Sequence, residues 1–249
     1  CIRDRDLDAR ERLDSFYEAL YDRHLTVDFV PPTGLGDLDP ERYPLLVVPQ
    51  LYAAPLGVGA DLERYVSRGG TLLVSFFSGI VDENDTLHPG AYPGALRDVL
   101  GLTVEEFDPM LPGETVSVRA ADGASYTADL WSEAVVPGDG CEVLARFEGG
   151  RRSGGPALTR RAVGSGAAWY LATRLTGDDL AAVVDLALAD AGVTPTGLPR
   201  DVELVVRAGE SGTFRFAVNH TGGEVKVVLP DGSRAAVPAG GVEVFRDPR

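Results

Sequence analysis

Residues 64–85, RYVSRGGTLLVSFFSGIVDEND, decide the fold. Tyr65 and Val66 close an apolar helical face, and Gly69-Gly70 supplies the left-handed backbone on which helices end. Leu72, Leu73, Val74, Phe76 and Phe77 then form a nearly continuous apolar run, the pattern of a parallel strand covered on both faces. Ser75, Ser78 and Gly79 interrupt it, and Asp82, Glu83, Asn84 and Asp85 follow directly. Those polar groups fall at the carboxyl end of the strand, where open α/β sheets place their binding crevice.

Working outward toward the amino end, Leu13, Phe16, Tyr17 and Leu20 recur at three- and four-residue spacing, which predicts an amphipathic helix within residues 7–24. Residues 26–30 and 43–48 read as two short strands bounded by prolines. In a doubly wound sheet a strand feeds the first helix, so this order of elements predicts a strand ahead of Cys1 that is lost or supplied by another chain. Toward the carboxyl end, Pro93-Gly94 opens a short helix through Leu96, Val99 and Leu100, stopped at Gly101. From Pro112 to about Arg174 the chain alternates strands and Gly-rich turns, including a hairpin over residues 157–171 around Gly164-Ser165-Gly166. A last helix follows, capped by Asp178 or Asp179, with Leu180, Val183, Val184, Ala187, Leu188 and Ala191 on one face and Gly192 at its end.

Residues 194–199, TPTGLP, have the composition of a linker. Beyond them every segment alternates: Val202, Leu204 and Val206; Phe214, Phe216 and Val218; Val225 and Val227; Ala235 and Val237; Val242 and Val244. Turns at residues 209–212, 221–223 and 231–232 separate them at hairpin spacing. The expected organisation is therefore an α/β domain over residues 1–195 and a small all-β domain over 196–249.

The 249 residues carry a net charge of −15, which repels nucleic-acid backbones and anionic membranes alike. No apolar run approaches membrane-spanning length, and the opening CIRDRDLDARER is too charged for a secretory signal, so either the chain is cytoplasmic, the location expected here, or its export signal lies upstream. Two cysteines, Cys1 and Cys141, and three dispersed histidines, His24, His88 and His220, offer no metal-ligand spacing. No metal site and no cofactor are expected.

Several long motifs occur in order: YEALYDRHLTVDFV, YPLLVVPQLY, GGTLLVSFFSGIVDEND, HPGAYPGALRDVLGLTVEEFDPMLPGE, DLWSEAV, GPALTRRAVGSGAAWYLATRL and FRFAVNHT. Together they resemble the trimerisation domain and the C-terminal domain of family-42 glycoside hydrolases, the bacterial β-galactosidases. The resemblance implies a flavodoxin-like sheet, similar to class I glutamine amidotransferases, with an antiparallel extension. It also implies that the barrel bearing the acid/base and nucleophile glutamates lies outside this chain. The enzymes it resembles hydrolyse terminal non-reducing β-D-galactosyl residues with retention. This part would supply homotrimer assembly and help shape the active-site mouth.

The residues themselves support no independent catalysis. Retaining glycosidases need two carboxyls about 5 Å apart on opposite sides of a sugar, and Asp82, Glu83 and Asp85 crowd one loop. An amidotransferase nucleophile would need a Cys at a strand-to-helix elbow beside a His, and neither cysteine occupies one. Gly57-Val58-Gly59 leads into Asp61, which would repel a phosphate, so a turn explains it better. Trp131, Trp169 and Tyr170 are expected in the core or an interface rather than as sugar platforms. No catalytic residue is assigned; the candidate binding or interface residues are Phe77, Asp82, Glu83, Asn84, Asp85, Tyr92 and Trp131. The alternative is a stand-alone sugar- or small-ligand-binding protein of amidotransferase-like fold, using the same loop directly.

Overall fold

A computed structural model describes residues 7–209, 212–228, 232 and 234–246. In chain order the elements are α1 (Ala9–Tyr21), β1 (Leu45–Val48), α2 (Val58–Ser67), β2 (Thr71–Ser75), α3 (Arg97–Leu100), β3 (Leu102–Pro109), β4 (Thr115–Ala120), β5 (Ser125–Pro137) and β6 (Cys141–Glu148). Then come β7 (Pro156–Val163), β8 (Gly166–Leu171), β9 (Thr173–Arg174), α4 (Gly177–Asp190), β10 (Val202–Gly209), β11 (Gly212–Asn219), β12 (Val225–Val228), β13 (Arg234–Val237) and β14 (Val242–Arg246). Contacts divide the chain into two units. One runs to Phe16 and resumes over Val30–Val193; the other comprises Tyr17–Phe29 and the residues from Thr194 onward.

Among the described residues, the first unit is built on a mixed sheet of nine strands in the order β1-β2-β8-β7-β6-β4-β5-β3, with β9 added to β5. β1, β2 and β8 are parallel. From β7 outward the ladder is antiparallel. The apolar run of β2 is buried at every residue, as a strand with both faces covered must be. Leu72 and Val74 join Leu62, Tyr65, Val66, Val99, Leu100 and Tyr170 in one core. Leu73 and Ser75 alternate to the opposite face.

α2 shows why the opening stretch is decisive. Val58, Leu62, Tyr65 and Val66 are its buried face, and each fully buried aliphatic side chain contributes about 1.5–3 kcal/mol. Gly69, at φ +111°, turns the chain from helix into strand in a conformation that L side chains rarely adopt. At the other end, a side chain at Gly59 would collide with the carbonyl oxygen of Ala95, so that glycine serves close packing.

Four expectations need correction. Residues 26–30 form no strand; Phe29 is 65% exposed there, and a β segment without a paired neighbour lacks the ladder that stabilises it. The buried stripe of α1 is Arg12, Phe16 and Ala19, while Tyr17 is exposed, one position round from the apolar stripe read from the sequence. Asp178 and Asp179 lie inside the first turn of α4 rather than capping it: Thr176 is the N-cap residue, and Asp179 Oδ2 accepts from the Thr127 amide at 2.8 Å. Finally, β3 follows Gly101 immediately, where no strand was expected before Pro112.

The second unit has a three-stranded antiparallel sheet, β10-β11-β14, and a separate β12-β13 ladder. Leu198, Val202, Leu204, Ala217, Val227 and Val237 form its core. Asn219, 1% exposed, ties the turns together: Nδ2 donates to the carbonyls of Gly223, Val237 and Pro238, and Oδ1 accepts from the Thr221 amide and hydroxyl. His24 Nε2 lies 2.9 Å from the Leu198 carbonyl within the same unit. The expected turns at residues 209–212 and 231–232 fall partly outside the described residues.

Candidate functional site

The carboxyl end of β2 does collect the unusual side chains, in two separate arrangements. In the first, Phe77 takes φ +55°, left-handed for a residue with a bulky side chain, and turns its ring into an aromatic cluster. Its centroid lies 5.0 Å from Trp131, 5.6 Å from Phe107 and 5.5 Å from Tyr52. Tyr92 packs on Phe107 at 5.0 Å, and Phe76 on Trp131 at 6.2 Å. Phe77, Tyr92 and Trp131, three of the seven candidates, therefore meet. Trp131 is fully buried, while Tyr52, Phe77, Tyr92 and Phe107 remain partly exposed.

Beneath the rings sits a residue that sequence reasoning missed, Glu133 on β5, 1% exposed. Its Oε1 accepts from the Phe77 amide and from Trp131 Nε1, both at 3.0 Å, and its Oε2 accepts from the Tyr170 hydroxyl at 2.5 Å. Burial pushes the carboxyl up to about 7 from 4.5, against the three donors, which favour the ionised form. The Tyr170 hydroxyl is itself raised well above its usual range, first by burial and then by the adjacent carboxylate. Glu133 thus fixes the backbone of Phe77 in its left-handed turn and fixes the plane of Trp131. Its signal in the sequence was only a Ser-Glu pair set among the apolar residues that follow Asp129 in DLWSEAV.

β5 carries its own distortion beside these groups. Leu130 adopts φ +62°, and the β5-β9 register shifts between Asp129 and Ser132. Such a bulge re-aims neighbouring side chains. The Trp131 carbonyl is held by the Thr173 hydroxyl at 2.5 Å.

The second arrangement is the acidic loop. Asp82 Oδ1 accepts from the amides of Asn84 and Thr86, at 2.8 and 2.9 Å, a side chain mimicking a turn. Those two bonds, Thr86 first, hold the Asp82 carboxyl below its usual range. Glu83 Oε2 accepts from the Leu56 amide at 3.0 Å, and Asp85 completes the turn at φ +60°. Asn84 and Asp85 are exposed. Asp82 and Glu83 are thus engaged with backbone.

Several other residues that the sequence analysis weighed have structural roles. Ser78 Oγ donates to the Ser75 carbonyl at 2.8 Å and accepts from the Leu51 amide. His88 Nε2 lies 3.0 Å from the Ala54 carbonyl. Trp169 Nε1 donates to Asp190. Gly57 is the left-handed residue preceding α2, and Asp61 pairs with Arg64 in that helix. A separate open groove of about 610 Å³ runs along β4 and β6. Its two arginines are engaged, Arg119 with Glu148 at 3.1 Å and Arg146 with the Gly154 carbonyl at 2.9 Å. Among the described residues no group of three metal-ligating side chains gathers.

Comparison with known proteins fits this geometry. The β-galactosidase trimerisation domain matches residues 2–194 and the β-galactosidase C-terminal domain matches residues 201–246. A β-galactosidase of Arthrobacter sp is 42% identical over 211 residues, covering 84% of this chain and 29% of that protein. One from Geobacillus sp. is 36% identical over 220 residues, 88% of this chain and 32% of that protein. The crystal structure of a β-galactosidase from Bacillus circulans sp. alkalophilus superposes with a TM-score of 0.84 at 29% identity, over 96% of this chain and 37% of that one. The chain spans about a third of the length of the relatives it matches. By its trimerisation and C-terminal domains, the chain belongs to the family-42 β-galactosidases.

Proposed function

We propose that this chain is the assembly part of a retaining β-galactosidase acting on terminal non-reducing β-D-galactosyl residues, with the catalytic glutamates carried outside its 249 residues. The carrying observation is the state of the acids at the carboxyl end of β2. Glu133 is sealed beneath aromatic rings, and Asp82 and Glu83 hold backbone amides, so this end presents no pair of carboxyls facing each other across a sugar. The half-exposed rings of Tyr52, Phe77, Tyr92 and Phe107 suit a surface that packs on a neighbouring subunit and borders its active-site mouth. The three parallel strands β1, β2 and β8 support a flavodoxin-like, amidotransferase-like description of the first domain, which we bound at residue 195.

The chain alone is expected to show no turnover of a chromogenic β-galactoside and to sediment at three times its 26.4 kDa mass. Measurable hydrolysis by the purified chain would place the chemistry here and defeat the reading. A monomer at all concentrations would defeat its assembly half.

A further inference from the structure

Arg12 on α1 is the least accounted-for charge in the first unit. It is 1% exposed, and its guanidinium lies over two rings, 5.1 Å from the Phe16 centroid and 5.6 Å from that of Phe76. Nη1 donates to the Leu175 carbonyl at 3.0 Å and lies 4.0 Å from Glu11. Nε and Nη2 are buried with no acceptor among the described residues.

These two nitrogens form one edge of the guanidinium, and the same edge is used twice elsewhere in this unit. Arg174 presents Nε and Nη2 to the two carboxylate oxygens of Asp129, each at 2.7 Å. Arg160 presents them to Asp190, each at 2.8 Å. Side-on bidentate pairing with a carboxylate is what this planar fork is shaped for. Among the described residues no nearby acid fills that role for Arg12. Glu11 has Oε1 bonded to Ser15 and Oε2 paired with Arg174, and Asp129 is taken by Arg174. Ser75 Oγ, one residue before Phe76, is another buried polar atom with no partner among the described residues.

We propose that the Nε/Nη2 edge of Arg12, clamped between Phe16 and Phe76, is a carboxylate-binding site that takes its acceptor from outside the described chain. Dehydration lowers the guanidinium to about 10, consistent with a cation whose nearest charges do not fully offset its burial. Two sources share the chemistry: a free small carboxylate, or an Asp or Glu side chain on another polypeptide segment. Because Phe76 stacks on Trp131, an occupant of this site would also buttress the aromatic cluster from behind.

The test is urea unfolding at pH 7 in potassium acetate and in potassium chloride of equal ionic strength, repeated with the tripeptide amide acetyl-Val-Asp-Val. At about ten times its dissociation constant, acetate should raise the folded-to-unfolded ratio of the wild type roughly tenfold relative to chloride. Arg12→Met should abolish that difference while unfolding in chloride no more easily than the wild type, because it removes a buried charge that lacks its carboxylate. Arg12→Lys keeps the charge without the fork and carries the same test if Arg12→Met does not fold. A tripeptide acting at lower concentration than acetate identifies a polypeptide side chain as the source; acetate acting without the tripeptide identifies a free small carboxylate. No selective response to either probe in the wild type, or an equal response in both variants, overturns the proposal.

Discussion

Two sets of carboxylates follow β2, and they behave oppositely. The acids of residues 82–85 lie mostly in solvent, where Asp82 and Glu83 accept backbone amides. Glu133 comes from a later strand, 56 residues beyond Phe77, and is sealed under Phe77, Trp131 and Tyr170. Asp82 shapes one turn within a few residues of itself, and Glu83 reaches a single backbone amide, that of Leu56. The buried acid organises three elements at once, because a dry carboxylate must find every donor it can. Acid density in the sequence therefore points to the wrong carboxylates; the consequential one is isolated in an apolar strand.

The contrast is broken most directly by Glu133→Ala. That change leaves the Phe77 amide, the Trp131 indole and the Tyr170 hydroxyl without their acceptor, and should cost about 3–5 kcal/mol in urea unfolding at pH 7. A loss no larger than that of a surface substitution would show that the network is not cooperative.

Next comes pH. Because the folded carboxyl is raised to about 7 from 4.5, the folded state binds more protons than the unfolded state between those values. Glu133 thus contributes stability at low pH that is lost as pH rises through 4.5 to about 7, a loss of ~3 kcal/mol at about 1.4 kcal/mol per unit. Glu133→Gln keeps an acceptor for Phe77 and Trp131 but cannot titrate. The difference between wild-type and Glu133→Gln stability, measured from pH 4 to 8, should fall across that window; a flat difference would refute the assignment.

Trp131→Phe removes one donor and should cost about 1–2 kcal/mol. It should also move the titration of Glu133 upward, since a bond favouring the ionised form is gone. Carboxyl-labelled NMR reads that displacement directly.

Asp82→Ala should have the smallest effect, with a urea midpoint nearer to wild type than that of Trp131→Phe. The pH sign is reversed here. The folded carboxyl is depressed, so its support of the turn is present above the ordinary aspartate range and fades as pH falls through the lowered value. Amide chemical shifts of Asn84 and Thr86 report it, and an upward displacement of that titration would contradict the turn geometry.

How much of this was legible follows from where the information resides. β2, the hairpin of β7 and β8, and the buried face of α4 are set by local periodicity, and residues 71–77, 157–171 and 180–188 declare it. The meeting of Phe77 with Trp131 rests on contacts 54 positions apart that no spacing rule encodes, although both residues stood out as candidates. Glu133 and Arg12 were invisible for one shared reason. Each is a charged residue at a core position, and patterns of apolar spacing assign such residues to the surface. Residues 26–30 erred the other way, since alternation alone suggests a strand while pairing decides whether one forms.

β1 adds a practical consequence. Among the described residues it pairs only with β2, so the Leu-Leu-Val-Val margin of a parallel sheet keeps one row of amides and carbonyls outside any ladder. Margins of this kind recruit further strands indiscriminately. Concentrated stocks of the purified chain should accordingly form thioflavin-positive material seeded from this margin, and a lysine substituted for half-buried Val47 should keep such stocks clear.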